Sequence, residues 1–230
     1  MAISGLNHLR SVVLLLELDE ATAITSVGLR NLRDLHHVSE EAAAVLTLLS
    51  IGSEKMLKMA LGLAELDDGH PWPATAQMKR WGHNIGELDG LARARYERQI
   101  DRSTAPGYIR ELLDQCADDR TLRALLEILT AWGLQARFHR LDELAGSPQP
   151  EESPQALWDE METDVLSDAP ELLRRLGDPA AYDETRAKVN ELIGDSFRRW
   201  WNLHARAWMT GVLGPEVQGH GGTLLRAIKA

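Results

Sequence analysis

The chain has 230 residues, 44% hydrophobic and 26% charged, enough to bury the core of one domain-sized body spanning 1–230. Its 35 acidic residues outnumber 25 basic ones, and the net charge of −10 excludes a surface that coats nucleic acid or anionic membrane throughout. A single cysteine, Cys116, excludes an internal disulfide framework and a thiol-only zinc site.

The first predicted elements are a short helix around Leu9 to Leu18 and a second from Glu20 to Val38. Within the first, Val12 to Leu16 is the nearest thing to a signal-peptide core, but Glu17 and Asp19 close it at once. No apolar run approaches the roughly 20 residues of a spanning helix, so the expected compartment is the cytoplasm, with no membrane partner. A long helix follows from Ser39, read as its N-cap with Glu40 and Glu41 in the first turn, to about Leu66. Along it Val45, Leu48, Leu49, Gly52, Met56, Met59, Ala60 and Leu63 recur at steps of three and four, the spacing of one buried stripe. Asp67 to Pro73 stops it.

Residues 75–102 have helical composition with an expected break among Gly82, Gly86 and Gly90. A further helical stretch covers Tyr108 to about Leu144, and the Pro- and Ser-rich run 145–154 is the clearest linker. Short helices are expected near Gln155 to Leu166 and Pro170 to Leu176. The last long helix opens with Asp178 as N-cap and Pro179 at its first position and continues to about Gly211. A glycine-rich tail, 211–222, reads as a flexible terminus before a final basic turn, 223–230. It lacks the Lys-Ser/Thr of a phosphate-binding loop. The fold class is therefore all-α, with extra short helices beside the long ones.

Charge is uneven along this chain. Residues 186–230 hold Arg186, Lys188, Arg198, Arg199, Arg206, Arg226 and Lys229 against Glu191, Asp195 and Glu216. Such a basic end fits a local polyanion site, and equally two attracting parts of one fold or of a dimer. Other chemistry has thin support. His83 and Glu87 are four apart, but no Glu-x-x-His occurs, so no metal and no cofactor is expected. His36 and His37 beside Asp34 have the same status. Cys116 has no basic neighbour to activate it, and no Gly-x-Ser-x-Gly is present.

Gly52-Ser-Glu-Lys-Met-Leu-Lys-Met-Ala-Leu-Gly62, then a Pro-rich stop, then Lys79-Arg-Trp-Gly-His-Asn-Ile-Gly-Glu-Leu88, resembles the HEPN superfamily. Glu54, Lys55 and Lys58 match that family's first element; Lys79, Gly82, His83 and Leu88 match its Lys-x-x-Gly-His-Asp-Leu element, with Asn84 in place of Asp and Ile85 in place of Leu. The resemblance covers residues 40–90. It implies an antiparallel helical bundle, HEPN-like, of a kind that often dimerises, here as a homodimer, and for catalytic members a metal-independent ribonuclease of defence, toxin or RNA-processing systems, with an RNA substrate and a partner or antitoxin protein. The family signature, Arg, four to six residues, then His on a late helix, falls on Arg199 and His204; Arg198 also fits the spacing. In that mechanism His204 moves the proton of the RNA 2′-hydroxyl or of the leaving oxygen and Arg199 stabilises the phosphorane. Arg198, Asn202 and Arg206 hold neighbouring phosphates.

Helix geometry keeps a second reading open. At 100° per residue Phe197, Trp201, His204 and Trp208 share a stripe, so His204 reads equally as a packed core histidine, with Arg199 about 140° away. An intrahelical pair with Asp195 would satisfy Arg199. Trp200, Trp201 and Trp208 serve either base stacking or packing. Arg30, six residues before His36, also matches the spacing, but on an early helix. The alternative to a ribonuclease is a non-catalytic HEPN-like module that binds a partner protein or a second copy.

Overall fold

The computed structural model describes residues 3–134, 136–147, 149 and 152–229, and among them it is an all-α helical bundle. In chain order the helices are α1 (His8–Arg33), α2 (Val38–Asp67), α3 (Thr75–Arg80), α4 (Ile85–Gln99), α5 (Pro106–Asp118), α6 (Arg120–Leu134), α7 (His139–Leu144), α8 (Pro154–Asp168), α9 (Pro170–Leu176), α10 (Tyr182–Met209) and α11 (Gly221–Leu224). Short 3₁₀ segments at Ile100–Arg102, Ala136–Phe138, Pro215–His220 and Leu225–Ile228 join or extend them. Of the expected linker, residues 148, 150 and 151 lie outside the described residues.

The first two expected helices are one. Asn7 caps α1, its side chain accepting the N–H of Arg10, and Leu14, Leu18, Ala21, Thr25, Gly28 and Leu32 carry one buried stripe through 19–20 without a break. The acids at 17, 19 and 20 point outward, where Glu17 and Glu20 both bind Lys55 of α2. α1 ends at Arg33, and α2 starts at Val38 rather than with a Ser39 cap. Glu41 does the capping instead: its carboxylate accepts the backbone N–H groups of His36 and His37. Gly28 packs on Leu49 while Gly52 packs on Thr25, so α1 and α2 run antiparallel at a separation only side-chain-free residues permit.

The expected break near Gly82 is real. Gly82 has φ of +59°, a left-handed turn that L side chains rarely adopt, and Asn84 then caps α4 by accepting from Glu87 N–H. Gly86 and Gly90 lie inside α4. His83, on the loop, reaches back 2.9 Å to Glu54 of α2, whose other oxygen holds Lys58 at 2.7 Å. The motif residues Glu54, Lys58, Gly82, His83 and Asn84 thus fasten the α3–α4 turn to α2. The stretch 108–144 is not one helix: Asp119 leaves helical geometry (ψ 103°) and its carboxylate accepts Leu122 N–H at the start of α6.

α10 runs through the centre of the bundle and meets α1, α5, α6, α8 and α9. Val189, Ile193, Phe197, Trp200, Trp201, Leu203, His204 and Trp208 are all buried on it. Its start is Tyr182, not Pro179, because Asp178 spends its capping capacity on a turn, accepting Ala180 N–H through its side chain and Ala181 N–H through its carbonyl. The glycine-rich stretch 211–222 is folded. Positive φ at Gly211 and Gly214 reverses the chain, and Val217, Leu224, Leu225 and Ala227 are buried. No helix of the described residues is long and apolar enough to cross a membrane.

Candidate functional site

The site is built where α4 crosses α10. Ile85, Leu88, Ala92 and Tyr96 give α4 an apolar inner stripe, and Asp89 and Arg95 interrupt its inner face with charge. Asp89 is 1% exposed and accepts from three directions. Trp200 Nε1 donates to its Oδ1 at 2.8 Å, His204 Nε2 approaches the same oxygen at 3.1 Å, and Arg93 Nε donates to Oδ2 at 2.7 Å. Tyr96 Oη lies 2.8 Å from His204 Nδ1. His204 is 0% exposed, edge-on to both Trp200 and Tyr96.

One protonation pattern satisfies every group. Burial depresses the His204 imidazole below its usual value against the pull of Asp89, which leaves the ring neutral. Nε2–H then donates to Asp89 and Nδ1 accepts from Tyr96, whose hydroxyl is held protonated by burial and by the charge of Asp89. Burial opposes ionisation of Asp89, but the His204 hydrogen bond and the Arg93 charge hold its carboxyl below the ordinary range. The result is a neutral histidine clamped by a carboxylate and a phenol, with no atom facing solvent.

This predicts a pH signature. An unfolded histidine protonates near pH 6.5, whereas folded His204 resists, so below about pH 6.5 the unfolded chain binds more protons and stability falls with pH. His204 adds its full stabilisation above that value and loses it progressively below; Asp89 acts in the same direction further into acid. Urea unfolding of wild type and His204→Gln at several pH values checks it. The variant is expected to show a shallower decline between about pH 7 and pH 5, and parallel curves would refute the assignment.

Arg199 stands elsewhere. It is 47% exposed, donates at 2.6 Å to Asp119 at the α5–α6 junction and at 3.0 Å to Ser196 Oγ. Its expected partner, Asp195, is taken by Arg198 at 2.8 Å. Arg206 donates to Asn202 at 3.2 Å one helical turn away. The structure therefore brings His204 to Asp89 and Arg199 to Asp119, and does not bring the two to each other. Five of the seven cations of the basic end are spent on acidic neighbours, Arg186 on Glu162, Lys188 on Glu184 and Arg226 on Asp19 joining the two pairs just named, while Arg206 and Lys229 form no ion pair among the described residues. Trp200, Trp201 and Trp208 are buried rather than offered for stacking.

A groove of about 520 Å³ lies over the outer side of this cluster, between α4, α5 and α6. Asp89, Arg93, Arg123, Glu127 and Thr130 line it with Cys116, Leu122 and Leu126. Cys116 is inert there, its thiol pushed up to about 12 by burial. Among the described residues no group of His, Cys, Asp or Glu is arranged to hold a metal ion; His83 has Glu54 as its partner, not Glu87. Asp89, Arg93 and Tyr96 escaped the sequence reading, yet the signal existed: a carboxylate one turn after Ile85 on an apolar stripe, followed by an arginine four residues on.

Comparison with protein-family models, with curated proteins and with solved structures gives no match to this chain.

Proposed function

We propose that this chain is a helical interaction module of HEPN-like build, which works by presenting helix faces to another protein surface rather than by cutting RNA. The observation that carries this reading is the state of His204: fully buried, with both ring nitrogens engaged by Tyr96 and Asp89. A general base must come within hydrogen-bond reach of the proton it abstracts. A ring without exposed atoms or a free lone pair meets no 2′-hydroxyl unless the α4–α10 contact opens. Support also comes from Arg199, which is paired with Asp119, and from the ion pairs of Arg186, Lys188, Arg198 and Arg226, which weaken the local field an RNA backbone would need.

The test is incubation of the pure protein with mixed RNA in excess chelator, beside Arg199→Ala and His204→Ala. No cleavage by any of the three is expected. Cleavage by wild type that either substitution abolishes would overturn the reading and install the ribonuclease in its place.

A further inference from the structure

The first half of α1 is apolar on two faces. Leu14 and Leu18 are buried in the bundle, while on the other side Leu9, Val12, Val13 and Leu16 are 69%, 39%, 48% and 62% exposed. At 100° per residue these four fall within about 100° of arc, a continuous stripe facing solvent. Helices apolar all round are covered on both sides.

The stripe reads Leu-x-x-Val-Val-x-x-Leu, the same in either direction along the chain. A twofold axis between Val12 and Val13 therefore lays it antiparallel on its own copy, with Leu9 opposite Leu16 and Val12 opposite Val13, as an isologous contact requires. The borders agree with that orientation. In an antiparallel twofold pair, like flanks face each other. Arg10 and Glu17 share one flank, so cation and anion meet across it from each protomer, and His8 and Asp19 share the other. Arg10 is exposed, and among the described residues it has no ion pair within the protomer. Glu17 and Asp19 already draw Lys55 and Arg226 to the rim.

We infer that residues 8–19 of α1 form the twofold seam of a homodimer, the occupant of this face being a second copy of the chain. The inference rests on the interaction reading above and names its surface and partner. Sedimentation velocity on the full chain at rising concentration tests it, with far-UV circular dichroism and the thermal midpoint as folding controls. Wild type is expected to dimerise and Val13→Glu to lose the dimer while keeping helicity and midpoint, since Val13 is half exposed. Under mild oxidation Val13→Cys is expected to give a disulfide-linked dimer. Val27→Cys, also exposed on α1 but far from the axis, is expected to give none; buried Cys116 does not compete. A wild type monomeric at every concentration, a dimer that persists in a folded Val13→Glu, or equal cross-linking at Val27 would each overturn the seam. None of these readouts uses RNA. A monomer that leaves RNA intact removes the seam alone, whereas cleavage lost in Arg199→Ala removes the interaction reading.

Discussion

Replacing Asp89 by alanine lowers the free energy of unfolding by about 3–5 kcal/mol, the cost of stripping one partner from a buried ion pair. Three donors lose their acceptor together: Trp200 Nε1, His204 Nε2 and the Arg93 guanidinium. The indole and the imidazole are buried donors left without their acceptor, and the guanidinium loses its counter-ion at the edge of the groove. Asp89→Asn retains an oxygen for the indole but not the charge for Arg93, so its loss is smaller. Urea titration separates the two, with an unchanged slope expected because the same surface is exposed on unfolding. For a chain of this length a loss of that size corresponds to roughly 6–20 °C in the thermal midpoint. An Asp89→Ala protein as stable as wild type would show that the cluster is incidental to the fold.

Trp201→Ala is expected to cost about 3–5 kcal/mol as well, by a different route. Its ring is fully buried and stacks on Phe197, and its Nε1 donates at 2.7 Å to the carbonyl of Leu224. That bond ties α11 to α10 at a place where Gly221 lies so close that a Cβ would stand 2.7 Å from the Ala205 carbonyl oxygen. The void left by the indole cannot be filled by a shift of α11, because backbone already meets backbone there. Loss of the donor also frees the chain after Gly214. Amide hydrogen exchange is expected to rise first over residues 217–228 and only then elsewhere; uniform acceleration would place the indole in the common core instead. Trp201→Phe keeps much of the volume and isolates the contribution of the bond.

The helical class was legible because it is written in composition and period, which packing then has only to accept. Boundaries were not, where local signals compete with tertiary ones. The acids at 17, 19 and 20 look like an interruption until Lys55 of another helix is seen beside them. Asp178-Pro179 carries the chemistry of a helix start but closes a turn, and the helix waits for Tyr182. The glycines of 211–222 suggest slack, whereas two of them make turns and a third allows contact no larger residue permits.

At the candidate site the helical wheel set His204 on a stripe with Phe197, Trp201 and Trp208, and all four are buried. The direct ring neighbours of His204, however, are Trp200, off that stripe, and Tyr96 of α4. What periodicity could not supply is the partner from another helix. Asp195 stands four residues before Arg199 and three before Arg198, and only the fold decides that it pairs with the second while Asp119, eighty positions away in sequence, takes the first. Spacing ranks partners within a helix and is silent between helices.

Asp119 has a role wider than any of its single bonds. One carboxylate oxygen starts α6 by taking Leu122 N–H and also meets Ser196; the other holds Arg199. The nucleating turn of one helix and the docking of another thereby share an atom. Fraying of α6 deprives α10 of its anchor, and withdrawal of α10 exposes the first turn of α6, so the two segments open as a single cooperative unit rather than in succession.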